Sequence, residues 1–475
     1  VVLAMVVAGG GAVWWLHATE HFARAVGTLL LAIAVALMAS LWLGATWRRP
    51  MRGLAAAGLG WLVVGGLVAG LTRYEGSRDG SSLPRLVPVW SAGAGEVSTG
   101  GSVQERAGEL GEARVPSVVD DGYLARAGLV DFPRFLGPAG DGVVGGIGLG
   151  EADLAAGPEL LWRRAVGVGW SGFVVVGGSA VTMEQWGDEE MVTCYDVLTG
   201  ELLWATGWTA RFAEAMGGEG PRATPTVEGG LVYVVGATGM LACLRLKDGL
   251  EIWRRDVLGG DNVTWGKSNS PVVVDGMVVV TGGMVGPALM AFDARSGEPL
   301  WQVGAGPASY ATPVVAELGG LRQLVVVEAT SVAGYGLGLG GGAELWREAW
   351  PGTFPKVAQP QIIDGRLVLL TASYQMGSRL LDVAGLDGGG WEVGEIWSGH
   401  RMKTKFSNVC VKDGYAYGLD EGRLACLEVA TGERVWRGEK FGYGQNLLAG
   451  DVLVVQAELG GDVALVAAMP EGYRE

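Results

Sequence analysis

Along the C-terminal two thirds of this chain, short apolar runs are cut at close intervals by glycine, and almost every cut reads as a turn. Thr224-Pro-Thr-Val-Glu-Gly-Gly-Leu-Val-Tyr-Val-Val235 and Ser270-Pro-Val-Val-Val-Asp-Gly-Met-Val-Val-Val280 each predict two β-rich strands around a Gly turn, and further copies begin at Thr312-Pro313, Gln359-Pro360, Ser407-Asn408 and Gln445-Asn446. A second phrase alternates with the first. It is Cys194-Tyr-Asp-Val-Leu-Thr-Gly-Glu-Leu-Leu-Trp204, repeated as Cys243–Trp253, Ala291–Trp301 and Cys426–Trp436, with weaker copies ending at Trp346 and Trp397. Each copy predicts strand, turn, strand. The Gly supplies the positive φ of a tight turn, and the Trp closes the unit as a large apolar plate.

Together the phrases give four short antiparallel strands per unit at a period of roughly 40–50 residues, the repeat length of propeller blades. The pattern therefore predicts an all-β fold, a β-propeller of four-stranded antiparallel blades. Each blade's inner strand starts at the Pro or Asn, and the Trp packs between neighbours. A solenoid rarely carries four strands per repeat, and separate immunoglobulin-like sandwiches need longer units. The repeat tryptophans are Trp162, Trp204, Trp253, Trp301, Trp346, Trp397 and Trp436.

The alternation of Ala-x-Asp-x-x-Thr-Gly-x-x-x-Trp with x-Pro-x-Val-x-x-Gly-x-Val-x-Val resembles the PQQ-like (pyrroloquinoline-quinone-like) repeat. That repeat builds quinoprotein dehydrogenases and the outer-membrane assembly lipoprotein BamB. Asp131-Phe-Pro-Arg-Phe-Leu-Gly-Pro138, followed by Gly140-Asp141-Gly142, is similar to the lead-in of PQQ-binding-like propellers. The resemblance covers residues 131–475 and implies a fold, not an activity, because one scaffold hosts unrelated functions.

The first 72 residues are a different material. Residues 1–16, 25–47 and 53–71 are apolar at about membrane-spanning length, which predicts transmembrane helices. Arg48, Arg49 and Arg52 cluster between the second and third runs. By the positive-inside rule that loop is cytoplasmic and everything after Leu71 is exported, which for an inner-membrane protein means the periplasm. Residues 73–130, rich in Gly, Ser and Ala without a sustained period, read as a flexible linker.

The blades then follow at residues 170–208, 222–258, 268–304, 309–350, 357–398 and 405–437, with a further one starting at Gln445. Glu159-Leu-Leu-Trp162 is an outer-strand phrase with no blade before it. Pairing such an orphan strand with a C-terminal blade removes both open edges of a ring. The similar proteins close eight blades in this way. The resemblance thus implies about seven blades here and one more in the full protein, with a C-terminally truncated propeller in this chain.

Composition changes the picture in three places. The 83 glycines fit many tight turns. Residues 1–72 contribute four arginines against Glu20, so the exported part is more acidic than the overall −15, which argues against nucleic acid as a partner. Cys194, Cys243 and Cys426 occupy one equivalent repeat position and Cys410 an inner strand. Equivalent positions of different blades are too far apart for a disulfide, and no metal spacing is present, so all four read as small buried thiols.

Candidate chemistry comes from the ring's centre, where inner strands begin. Those stretches supply Glu184, Gln185 and Trp186 in an inserted blade loop, then Arg222, Thr224, Trp265, Lys267, Asn269, Tyr310, Thr312, Lys356, Gln359, Lys403, Lys405, Asn408, Gln445 and Asn446. Converging on a funnel, they would make a site for a polar or anionic ligand with aromatic walls. That they cap strand ends and meet water is the weightier account, since rims are polar whether or not they bind anything. His17, His21 and His400 make no catalytic or metal arrangement, and Gly338-Leu-Gly-Gly-Gly342 lacks the context of a phosphate loop.

The resemblance raises the question of PQQ and calcium as cofactors. The adjacent Cys pair of the alcohol-oxidising quinoproteins is missing, and no calcium ligand set can be matched, so neither a catalytic residue nor a metal ligand is assigned. Membrane glucose dehydrogenases lack the pair too and join membrane helices to a propeller, but with long catalytic insertions that these short blades do not have. The favoured expectation is a membrane-anchored, non-catalytic propeller that binds a periplasmic protein or peptide. The alternative is a PQQ-dependent membrane-bound dehydrogenase acting on an alcohol or sugar.

Overall fold

The computed structural model describes residues 72–77, 84–88, 130–150, 154 and 160–475, except 215, 216, 338–340, 353 and 459. The predicted membrane helices lie outside the described residues. Among those described, no helix is long and apolar enough to cross a membrane. Within the stretch read as a linker, Thr72–Ser77 pairs antiparallel with Pro84–Pro88, with Tyr74 opposite Leu86. This ribbon and the propeller belong to different compact units.

The propeller consists of seven four-stranded sheets among the described residues. Six are simple antiparallel meanders whose innermost strands are Val174–Val176, Thr226–Glu228, Val272–Val274, Val314–Leu318, Gln361–Ile363 and Cys410–Lys412. The hairpin from first to second strand is set by its turn. In the second blade Glu228 pairs with Leu231, leaving Gly229 and Gly230 at φ 58° and 76°, the pair of left-handed residues that a type I′ turn requires.

The Trp phrase has an equally direct cause. The small residue that opens it lies directly across the strand pair from the Trp that closes it: Cys194 opposite Trp204, Cys243 opposite Trp253, Ala291 opposite Trp301 and Cys426 opposite Trp436. A bulge follows immediately in each pair and re-aims the outer strand. The Asp is a turn residue: Asp196 accepts the N–H groups of Leu198 and Thr199 at 3.0 and 2.8 Å, and Asp293 does the same for Arg295 and Ser296. The Trp then crosses to the next blade. Trp204 Nε1 donates to Leu246 O at 2.8 Å, Trp253 to Ala294 O at 3.0 Å, Trp397 to Val429 O at 2.8 Å and Trp436 to Met469 O at 2.8 Å. Trp346 donates instead to Gln323 of its own blade.

Trp162 belongs to the same series, donating to Val197 O at 2.9 Å against the first blade, although Leu160–Trp162 lies in no strand. The seventh sheet shows where the expectation and the structure differ. Its own strands are Gln445–Ala449, Val452–Gln456 and Val463–Ala467, and its fourth is Val143–Val144, parallel to Gln445–Ala449 on the inner side. The segment that reaches this sheet is therefore the Phe132–Leu149 lead-in, not the orphan Trp162 phrase. The lead-in crosses the far ends of the innermost strands. Phe132 pairs with Val175, Pro133 O accepts Val227 N–H at 2.7 Å, and Gly142 O accepts Leu448 N–H at 2.8 Å.

Candidate functional site

The innermost strands all begin at one face, the end opposite the lead-in, and two layers of side chains gather there. The lower layer is a hydrogen-bond ladder that runs from blade to blade. Gly172 N–H donates to Thr224 Oγ1 at 3.1 Å, Thr224 N–H to Ser270 Oγ at 3.0 Å, and Ser270 N–H to Thr312 Oγ1 at 2.9 Å. Gln359 Nε2 continues to Thr312 O at 3.2 Å, and Gln359 N–H donates to Asn408 Oδ1 at 2.7 Å. All the side chains of this ladder are buried. In four of these blades a proline follows the ladder residue, and it carries no N–H of its own. The acceptor that ties two blades together is therefore the preceding hydroxyl or amide.

This ladder decides the standing of several candidates. Thr224, Gln359 and Asn408 bond to neighbouring blades, as does Asn269, whose Nδ2 donates to Ser309 O at 3.2 Å, while Gln359 Oε1 is buried without a partner. Gln445 stands at the ladder position of the seventh blade and donates to Phe406 O at 2.7 Å. Asn446 is turned inward onto Cys410 Sγ at 3.4 Å. Gln185 requires a correction. Glu184, Gln185 and Trp186 lie not in an inserted loop but in the strand Ser179–Trp186, all buried, because the first blade's second and third strands run on for eight residues each before they turn. Gln185 Nε2 donates to Ala210 O at 2.9 Å, and Glu184 accepts Thr193 Oγ1, Tyr195 OH and Trp186 Nε1.

Two lysines lie just beneath the face. Lys267 is fully buried and donates to Thr281 O and Oγ1 at 2.7 and 2.6 Å, and burial away from water pulls its ammonium down to about 7. Lys356, also buried, donates to Ala329 O and sits 5.4 Å from the Trp350 ring; burial lowers it to about 8. Between the first and second blades Glu190 accepts Ala237 N–H at 2.7 Å and Trp208 Nε1 at 3.3 Å, and desolvation raises it above the usual carboxylate range.

The upper layer is aromatic. Two residues before the ladder position stand Trp170, Arg222, Tyr310, Phe406 and Tyr443 in five of the seven blades. They form two groups. In the first, the Arg222 guanidinium lies 4.6 Å from the Phe212 ring and donates to Trp265 O, while Trp265 and Tyr310 pack with centroids 5.7 Å apart. In the second, Lys405 Nζ lies 4.3, 5.1 and 5.5 Å from the rings of Tyr443, Tyr374 and Phe406, and Phe354 stacks on Tyr374 at 5.1 Å and 11°. Trp170, Phe354 and Phe406 are 68%, 49% and 36% exposed. Tyr374 and Gln375 hold φ of 55° and 69°, a turn that Asn-Gly would make freely and that costs other residues about 1–2 kcal/mol each. The structure thus brings Arg222, Trp265 and Tyr310 together, and separately Lys405 with Gln445 through Phe406. The polar reading of the strand starts missed Trp170, Phe354, Tyr374, Phe406 and Tyr443. Its available signal was the aromatic residue recurring two places before the Thr, Gln or Asn.

Among the described residues no three His, Cys, Asp or Glu side chains stand close enough to hold a metal ion, while Gln185 Oε1, Gln359 Oε1 and Asn446 Oδ1 are buried without a hydrogen-bond partner. The described residues thus assemble no carboxylate cluster for the calcium of a calcium-supported quinone. All four cysteines are free and buried, with thiols pushed up to about 12 by burial.

Comparison with known proteins agrees with the repeat. The family model PQQ_2, described as outer membrane protein assembly factor BamB, matches residues 153–281 and 188–438, more than half of the chain. No curated protein sequence matches it. Among solved structures, BamB from Moraxella catarrhalis is 18% identical over 63% of this chain and 83% of that chain, with a TM-score of 0.46. Quinohemoprotein alcohol dehydrogenase from Comamonas testosteroni is 13% identical over 76% and 77%, with a TM-score of 0.49. The computationally designed Ika8 protein is 15% identical over 64% and 85%, with a TM-score of 0.45.

Proposed function

This chain belongs to the PQQ_2 family, and from that premise we propose that it is a membrane-tethered, non-catalytic propeller that holds a protein partner on the periplasmic side of the inner membrane. One observation carries the reading. The face where inner strands begin presents exposed rings: Trp170 and Phe406, two places before the ladder in the first and sixth blades, are 68% and 36% exposed, and Phe354, in the stretch leading into the fifth, is 49% exposed. Exposed aromatic and arginine side chains in one place are the composition of a protein-binding patch, and they are costly to leave in water without a use. The hydroxyls of the ladder beneath them hold one blade to the next. The three apolar runs at residues 1–16, 25–47 and 53–71 supply the tether, and Arg48, Arg49 and Arg52 set its orientation.

The test is photocrosslinking in cells, with a photoreactive phenylalanine replacing Trp170, Tyr310 or Phe406 in the full chain. A discrete protein adduct is expected from these positions and none from Ile252 on the outer strand, which is exposed to 44%. Equal labelling from both faces would refute the assignment of the face. Dye-linked oxidation of an alcohol or sugar after loading with PQQ and calcium would refute the non-catalytic reading.

A further inference from the structure

Neighbouring blades of this propeller share apolar cores, and one junction is the exception. Clusters of buried side chains join the first blade to the second, the second to the third, and so on to the sixth and seventh; among the described residues none joins the seventh to the first. The side chains directed into that junction show the difference. On the seventh sheet Leu447, Val454 and Leu465 stand opposite one another across three strands and are only half-buried. Their alternates Leu448, Leu453 and Val466, on the other face of the pleat, are closed in by the sixth blade. On the first blade Phe173 is 40% exposed, whereas Pro225, Pro271, Pro313 and Pro360, at the same place in the next four blades, are buried.

What crosses this junction is the lead-in. At its start Asp131 Oδ1 accepts Gly177 N–H at 3.0 Å, Phe132 exchanges backbone bonds with Val175, and Pro133 O accepts Val227 N–H at 2.7 Å, which fixes it to the first and second blades. At its end Gly142 O accepts Leu448 N–H at 2.8 Å, Val143–Val144 pairs with Leu448 and Ala449, and Leu149 O accepts Asp451 N–H at 3.2 Å, which fixes it to the seventh. Between the two anchorages lies a turn in which Gly140 N–H donates to Gly137 O at 3.0 Å and Pro138 and Ala139 are exposed. The seventh-blade anchorage leaves no room to spare: Gly142 has φ 80°, and a Cβ on it would lie 2.9 Å from Sγ of the fully buried Cys410. We infer that residues 131–149 are a latch, which closes the ring at the junction where the blades share no core, and that the ring opens there when the latch is released. Opening at this place breaks hydrogen bonds and exposes little further apolar surface, whereas opening between any other pair of blades would expose a core. The latch lies at the end away from the aromatic face and acts whatever that face binds.

The experiment uses the full chain in detergent with a protease site inserted between Pro138 and Ala139, so that cleavage parts the two anchorages and the uncut protein is the reference. Release is read by amide hydrogen exchange and by the rate at which a maleimide labels each cysteine, located by mass spectrometry. Cleavage should speed exchange at least about tenfold in both Val174–Val176 and Gln445–Ala449 and leave Val314–Leu318 of the fourth blade unchanged. Cys410 should label at least about tenfold faster, while Cys194 and Cys243, in cores away from the latch, stay protected. Two point variants test whether the ends act together without a cut. Phe132→Pro removes the N–H that donates to Val175 O, at the end remote from Cys410, and should still speed the labelling of Cys410. Gly142→Ala sets a methyl group against Cys410 Sγ and should speed exchange in Val174–Val176. A segment merely packed on each blade separately would pass nothing from one end to the other. No change after cleavage, a response confined to one end, or faster exchange in every blade alike would overturn the latch.

Discussion

Gly297→Ala tests the physical reason for the repeat phrase. Gly297 has φ 70°, and a Cβ built on it would lie 2.6 Å from Trp253 Cδ2 and 2.7 Å from Cε3, the plate of the preceding blade. Two costs are therefore superposed. The left-handed backbone costs an alanine about 1–2 kcal/mol, and forcing a methyl group into a packed ring adds about 1–3 kcal/mol. Gly276 separates them, since it has φ 76° with nothing within 4 Å of its Cβ. Gly276→Ala should show the backbone term alone, and Gly297→Ala both. Placing Gly297→Ala in a Trp253→Ala background removes the overlap, so the cycle should return a coupling of about 1–3 kcal/mol. Because repeat arrays can open in segments, the readout is native-state hydrogen exchange over Glu251–Asp256 and Pro299–Val303, beside urea unfolding of the whole chain. Equal costs at Gly276 and Gly297, or additivity with Trp253, would refute the claim that the Trp plate is what demands a glycine there.

Two further outcomes follow from the layer beneath the face. Thr312→Val keeps the shape but leaves Ser270 N–H buried without its acceptor, which should cost about 1–3 kcal/mol in urea unfolding, whereas Thr312→Ser should recover most of that. Lys267 holds a proton up to about 10.5 when unfolded and only to about 7 in the fold, so between those values the unfolded state binds more protons and stability rises with pH. The slope is at most about 1.4 kcal/mol per pH unit. The stability difference between wild type and Lys267→Met should therefore grow in favour of wild type from pH 7 to 10; a difference independent of pH would show that the ammonium stays charged in the fold.

The fold was legible because each repeated residue answers a local geometric demand that sequence spacing carries. The small residue sits opposite the Trp, the Asp caps the turn, the Gly lies under the neighbouring Trp, and the Thr or Ser before Pro accepts from the blade before it. The seventh sheet was not legible in the same way. Its parallel partner Val143–Val144 is two residues long, too short to show a period, and lies far away in sequence. Gln185 was misplaced for a related reason. Glu184 and Glu190, two acids that flank a Gly-Asp tip, look like loop residues, and only the Tyr, Thr and Trp donors around them show that they are strand residues whose charges are accommodated inside. At the strand starts the sequence reading named Arg222, Trp265 and Tyr310, which the structure brings together, but not Trp170, Phe406 or Tyr443, two places before the ladder in other blades.

That offset explains how one scaffold can carry unrelated functions. The ladder residue is fixed by the N–H it accepts from the preceding blade, so Thr224, Ser270 and Thr312 all supply a hydroxyl. Two places earlier no single side-chain bond recurs, although Arg222, Ser268 and Tyr310 each bond to a neighbouring blade, and the same repeat carries Trp170, Arg222, Ser268, Tyr310, Val357, Phe406 and Tyr443. Such variety, on positions that share one face, leaves the hydroxyl ladder of Thr224, Ser270 and Thr312 in place beneath it. The second layer of constraint appears only where the chain accepts strain, as at Tyr374 and Gln375, where two non-glycine residues occupy a turn suited to Asn-Gly. The turn sets the half-buried Tyr374 ring between Phe354 and a lysine ringed by three aromatic side chains.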